Sequence, residues 1–114
     1  MTNDYIHNLW KRIVSELYYK PIEMQTMGRG RWFSVYSKDG NIYIDNSQTN
    51  KRSVELNGTR KINETEFSKV YPYYPLWRKG KKSLRGFMQK LSLNTSYILA
   101  LINHFEKDNH GGLI

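Results

Sequence analysis

Asp39-Gly40 stands between two alternating runs, and that arrangement commits the middle of the chain to a β-hairpin. Before it, Phe33 and Val35 alternate with Trp32, Ser34 and Tyr36; after it, Ile42 and Ile44 alternate with Asn41, Tyr43 and Asp45. An Asp-Gly pair accepts positive φ at both turn positions, which matches the twist of the strands on either side. A second pair, Asn57-Gly58, separates residues 52–56 from 59–62. Together the two turns predict a four-stranded antiparallel meander. Phe33, Val35, Ile42, Ile44, Val54 and Leu56 lie on its apolar face, and Trp32, Tyr36 and Tyr43 on the other. Ile22, Met24 and Thr26 also alternate, which permits a short edge strand ahead of Gly28-Arg29-Gly30-Arg31.

Helices are expected on both sides of the sheet in sequence. Ile6, Leu9, Trp10, Ile13, Val14 and Leu17 recur at helical spacing over residues 4–19, with Thr2 or Asn3 as cap and Pro21 as stop. Asn63-Glu64-Thr65-Glu66 reads as a capping box, and Ile62 with Phe67 as the staple that goes with it. That helix ends at Pro72. Tyr73, Tyr74, Leu76 and Trp77 then form an aromatic connector interrupted by Pro75. A last helix begins at Asn94, Thr95 or Ser96 and carries Ile98, Leu101, Ile102 and Phe105. The predicted fold is therefore α+β, in two layers: an N-terminal helix, a four-stranded antiparallel meander and two C-terminal helices. With 114 residues and no linker or repeat, residues 1–114 read as a single domain.

Several function classes are excluded at this level. Without cysteine there are no disulfides, zinc ribbons or thiol catalysis. The polar start, Met1-Thr2-Asn3-Asp4, is no signal peptide, and the apolar run 97–102 is too short to cross a bilayer. No membrane partner and a cytoplasmic location are the expectation. There is no P-loop, dinucleotide fingerprint or serine elbow, so no cofactor is implied. His7, His104 and His110 lack metal-ligand spacing. Asp45 and Glu55 form a conceivable acidic pair, but a nuclease lysine two residues after the second acid is replaced by Asn57. No catalytic and no metal-binding residue is assigned. A small metal-independent ribonuclease toxin working with Arg, Lys and Tyr stays open as an alternative.

Charge gives the positive direction. The net charge is +8, from 18 Lys+Arg against 10 Asp+Glu. Arg78, Lys79, Lys81, Lys82, Arg85 and Lys90 supply six cations with no acid among them, so +6 of the +8 falls in residues 78–90. Read as an exposed basic loop that contains Gly80 and Gly86, this stretch suits phosphate contacts; a solvated loop without a ligand is the competing reading. Arg29, Arg31, Arg60 and Lys61 extend the patch, although Arg60 and Lys61, as strand neighbours, face opposite ways. Tyr73, Tyr74 and Trp77 are candidates for an aromatic interface beside the loop, or for the floor of the core.

The run Phe33-x-Val35, Gly40-x-Ile42-x-Ile44, Arg60-x-Ile62, Glu66-Phe67-x-x-Val70-Tyr71 and Ser96-Tyr97-Ile98 resembles small bacterial proteins of the mobile-element, integron gene cassette type, and short modules attached to DNA-handling enzymes. The resemblance covers residues 31–102 and rests on fold-making positions. It implies a bacterial, DNA-related setting and carries over no site residue. The sequence thus points to a nucleic-acid-binding domain, DNA favoured, working through residues 78–90 without catalysis. The alternative of another class is a protein-interaction module, binding an acidic partner or forming a homo-oligomer.

Overall fold

An uninterrupted apolar stripe makes the first helix. In the computed structural model, which describes residues 3–28, 30–48, 58–81 and 83–111, α1 spans Asn3–Tyr19. Ile6, Leu9, Trp10, Ile13 and Leu17 are buried along one side of it. α1 already includes Asn3, and Thr2 lies outside the described residues.

Four strands follow: β1 Ile22–Gln25, β2 Trp32–Lys38, β3 Asn41–Asn46 and β4 Arg60–Ile62. They form one antiparallel sheet in the order β1-β2-β3-β4. Asp39 (φ 52°) and Gly40 (φ 80°) make the β2–β3 turn between the paired residues Lys38 and Asn41. Positive φ at both positions is what a two-residue turn of this hand needs. Alternation puts Phe33, Val35, Ile42 and Ile44 inside, all 2% exposed or less. Ser37 shares that face, and its hydroxyl donates to the Val14 carbonyl of α1 at 2.6 Å, which satisfies a polar group in the core. On the other face Tyr36 and Tyr43 stack at 5.5 Å and 14° and are half-buried.

The sheet differs from the expected meander at its margins. β4 pairs directly with β3 through Ile42↔Ile62 and Ile44↔Arg60, the place the meander gave to residues 52–56. Residues 52–57 lie outside the described set. Among the described residues the fourth strand of the sheet is β1, where Met24, opposite Phe33, buries an apolar side chain.

Among the described residues four α-helices follow the sheet, where two are expected: α2 Glu64–Val70, α3 Tyr74–Arg78, α4 Leu84–Leu91 and α5 Thr95–Gly111. The capping box starts α2: the Glu66 amide donates to Asn63 Oδ1 at 2.9 Å, and the Asn63 amide donates to Glu66 Oε2 at 3.3 Å. Ile62 and Phe67 are both fully buried. Pro72 and Pro75 do not leave an open connector. Each sits in the first turn of a new element, a 3-10 turn at Tyr71–Tyr73 and then α3, where a missing N–H is tolerated. The greater correction is α4. Residues 78–90 are not one loop: Arg78 ends α3 and residues 84–90 belong to α4, because Leu84, Met88 and Leu91 recur at helical spacing and bury against the core, fully for Met88. Gly86, exposed on α4, costs about 1 kcal/mol of helix propensity and does not break it.

The core joins these pieces. The Trp10 and Phe67 rings meet at 5.3 Å, linking α1 to α2, and Phe33 meets Tyr97 edge-on at 5.0 Å, linking β2 to α5. Burying a side chain such as Phe67 is worth about 1.5–3 kcal/mol. No described helix is long and apolar enough to cross a membrane.

Candidate anion-binding cleft

Three arginines from three separate elements line one cleft at the end of the sheet. Arg31 comes from the β1–β2 connection, Arg60 from the start of β4 and Arg85 from α4. The cleft measures about 530 Å³, and among the described residues Asp45 is the single acid in its lining.

Each arginine is placed by a local device. Arg31 closes a tight connection: its amide donates to Thr26 Oγ1 at 3.0 Å, and its carbonyl accepts from the Thr26 amide at 2.9 Å. Gly30 makes this possible with a φ of 65°, and a Cβ there would come within 3.1 Å of Gln25 Nε2. Arg60 projects from the inner face of β4 toward α5. Its Nη1 donates to Asn94 Oδ1 at 3.2 Å, and its guanidinium lies 5.9 Å from the centre of the Tyr97 ring. Arg85 sits on the cleft side of α4, together with Gln89 one turn on. Its Nη2 donates to Ser96 Oγ at 2.5 Å, and the guanidinium lies 5.9 Å from the Trp77 ring. The Nε of Arg85 is buried with no hydrogen-bond partner in the structure. Burial pushes this guanidinium below its ordinary pKa.

The partners that hold Arg60 and Arg85 are neutral. Among the described residues, none of the three arginines makes an ion pair. Asp45 is turned to other work: Oδ1 accepts from the Asn46 amide at 2.9 Å and Oδ2 from Thr59 Oγ1 at 3.2 Å. Among the described residues the cleft therefore carries three cations against one acid, with the half-buried rings of Trp32 and Tyr97 in its lining. Guanidinium groups held by neutral partners keep their capacity for an anion.

Of the candidates named from sequence, the fold gathers Arg31, Arg60 and Arg85 and separates the rest. Lys61 pairs with Tyr43, on the sheet face opposite Arg60. Arg78, Lys79, Lys81 and Lys90 are exposed and outside the cleft lining. Arg78 Nε donates to the Tyr74 hydroxyl at 3.3 Å. Arg29 and Lys82 lie outside the described residues. Tyr74 and Trp77 are core residues, 8% and 5% exposed, and Tyr73 is half-buried. Sequence reasoning noted Asn94 as a helix cap, noted Ser96 as a cap and within the run Ser96-Tyr97-Ile98, and did not weigh Gln89. Their contacts with the cleft join positions far apart in the chain, and no local pattern marks them.

Elsewhere, His7 Nδ1 meets Glu64 Oε2 at 2.5 Å. Among the described residues no group of three or more His, Asp or Glu is placed to hold a metal ion. Glu55, one half of the conceivable nuclease pair, lies outside the described set. No protein-family model, curated protein or solved structure matches the chain.

Proposed function

We propose that this chain is a nucleic-acid-binding domain, with DNA the favoured partner, and that its contacts are phosphate contacts without catalysis. One observation carries the reading: Arg31, Arg60 and Arg85 line one cleft, and neutral side chains hold the guanidiniums of Arg60 and Arg85 there. The net charge of +8 supplies long-range attraction for a polyanion. Exposed Lys79, Lys81 and Lys90 add cations on and next to the helix that carries Arg85. On this reading the domain has two layers, with helices on one face of the sheet, and the cleft lies where the layers part. The protein acts in the cytoplasm of a bacterium, in keeping with the resemblance to gene-cassette proteins.

The test is a salt titration of binding to short double-stranded DNA, single-stranded DNA and RNA. It compares the wild type with Arg31→Gln, Arg60→Gln and Arg85→Gln, and with the triple variant Lys79→Ala, Lys81→Ala, Lys90→Ala. The expected result is affinity that falls with salt, with a log–log slope that shrinks by roughly one for each phosphate contact removed. Absence of binding at low salt sinks the proposal.

A second reading, self-association, rests on a different observation. Leu76 and Phe87 are 49% and 44% exposed, and Tyr73 packs edge-on against Phe87 at 5.0 Å. Exposed apolar groups of this kind mark contact surfaces when they adjoin one another. Sedimentation velocity of the wild type and of Phe87→Ser decides it: a wild-type dimer that dissociates in the variant supports an interface, and a monomeric wild type rejects it.

A further inference from the structure

A channel for an internal stretch of nucleic acid sets its cations in a row along the phosphate path. The cleft at the end of the sheet does the opposite. Arg31, Arg60 and Arg85 come from three separate elements and line one cleft, which gathers their positive charge in one place rather than along a path.

The surrounding groups narrow the ligand further. Arg85 Nη2 donates to Ser96 Oγ, which leaves the hydroxyl hydrogen of Ser96 free to donate onward. The Gln89 amide lines the same wall. Guanidiniums and neutral donors together suit an oxyanion with several acceptor oxygens. A volume of about 530 Å³ is far more than a bare inorganic anion fills, and it falls within the range of pockets for small organic ligands. The ring of Trp32 offers a flat apolar surface in that space. The lone pairs of Asp45 not used by Asn46 and Thr59 accept from hydroxyl or amino groups and repel a second phosphate. The ligand that satisfies all of these groups carries one concentrated anionic end, a flat ring and hydrogen-bond donors.

We infer that the cleft binds a phosphate monoester on a nucleotide, as found at the end of a nucleic-acid strand, with the phosphate among Arg31, Arg60, Arg85 and Ser96 and the rest of the nucleotide toward Trp32 and Asp45. This inference rests on the nucleic-acid reading above and gives that same site its substrate class. A terminal monoester is a dianion above its second pKa near 6, whereas an internal diester carries one charge. Converging guanidiniums favour the former.

The experiment measures equilibrium binding of one single-stranded oligonucleotide in three forms: 5′-phosphorylated, 3′-phosphorylated and without terminal phosphate. Adenosine monophosphate is the fourth probe. Each is titrated at pH 5 and pH 7.5 with the wild type, Arg31→Gln and Arg85→Gln, whose folding is checked by thermal melting. The expected result is that one phosphorylated form binds about tenfold tighter than the unphosphorylated strand at pH 7.5, the scale of charge-assisted hydrogen bonds to one anion. That advantage shrinks at pH 5 and disappears in both variants. Equal affinity for all three strands overturns the end-binding inference and leaves the nucleic-acid reading in place. Binding of adenosine monophosphate with no binding of any strand supports the monoester site and overturns the nucleic-acid reading. Binding of none of the four overturns both.

Discussion

Arg60 donates from Nη1 to Oδ1 of Asn94 at 3.2 Å, across 34 positions of sequence. The same asparagine donates from Nδ2 to the Lys61 carbonyl at 3.2 Å and to Glu66 Oε1 at 2.9 Å. Glu66 is also the closing residue of the α2 capping box, and its Oε1 accepts from Ser92 Oγ at 2.8 Å. One amide thus ties β4, the start of α2 and the α4–α5 connection to the arginine that reaches the cleft. Local capping chemistry and the candidate site share a single polar network.

Asn94→Ala should be destabilising for that reason. The side chain is 8% exposed and makes three hydrogen bonds. Its removal takes a hydrogen bond each from Arg60, the Lys61 carbonyl and the half-buried Glu66 carboxylate, at a total cost of about 1–3 kcal/mol. Urea denaturation checks this. Ligand affinity should fall with it, because Arg60 loses the acceptor that orients it.

Arg85→Met should separate stability from binding. The arginine carries a buried Nε without a partner, and its guanidinium lies over the Trp77 ring. Methionine keeps much of the packing volume and removes the orphan donor, so stability should hold or rise by about 1 kcal/mol. Binding should be lost. A melting temperature well below that of the wild type would show that Arg85 is a structural residue.

Gly30→Ala should disturb both the β1–β2 connection and the arginine that follows it. The φ of 65° is left-handed, and the new Cβ would crowd Gln25 Nε2 at 3.1 Å. A side chain in that region costs about 1–2 kcal/mol. Thermal melting measures the loss. Binding by the folded fraction should weaken as well, since Arg31 moves with the connection.

Stability at alkaline pH should depend on Tyr71. Burial, and then the hydrogen bond it donates to Glu106, push its phenol well above the ordinary value of 10.0. Tyr5 also donates to Glu106, at 2.6 Å, and is raised by the same two causes in the same order. In the unfolded chain these phenols lose their protons near pH 10, while the folded protein keeps them. The unfolded state therefore binds fewer protons above pH 10, and stability falls as pH rises through that value. Tyr71→Phe removes this contribution, so its urea midpoint should decline less steeply between pH 9 and 11 than that of the wild type. Parallel declines would show that Tyr71 ionises alike in both states.

The elements that the sequence by itself determined are those set by neighbours in the chain. The turn at Asp39-Gly40 follows from two residues that accept positive φ between alternating runs. The capping box at Asn63 and Glu66 closes within one helical turn, and the stripe of α1 repeats within its own length. α4 was also locally encoded, in Leu84, Met88 and Leu91, but Arg85, Gly86 and Lys90 read more strongly as part of an exposed basic loop. Only the tertiary structure decided which cations belong together. Charge in residues 78–90 marks that segment, yet helix geometry turns Arg85 inward and leaves Lys90 in solvent. Strand alternation sends Arg60 to the cleft and Lys61 to the opposite face. The partners that orient these arginines, Asn94 and Ser96, lie 34 and 11 positions away. A contact of that kind exists only once the helices have packed on the sheet, because nothing in the local sequence sets its distance.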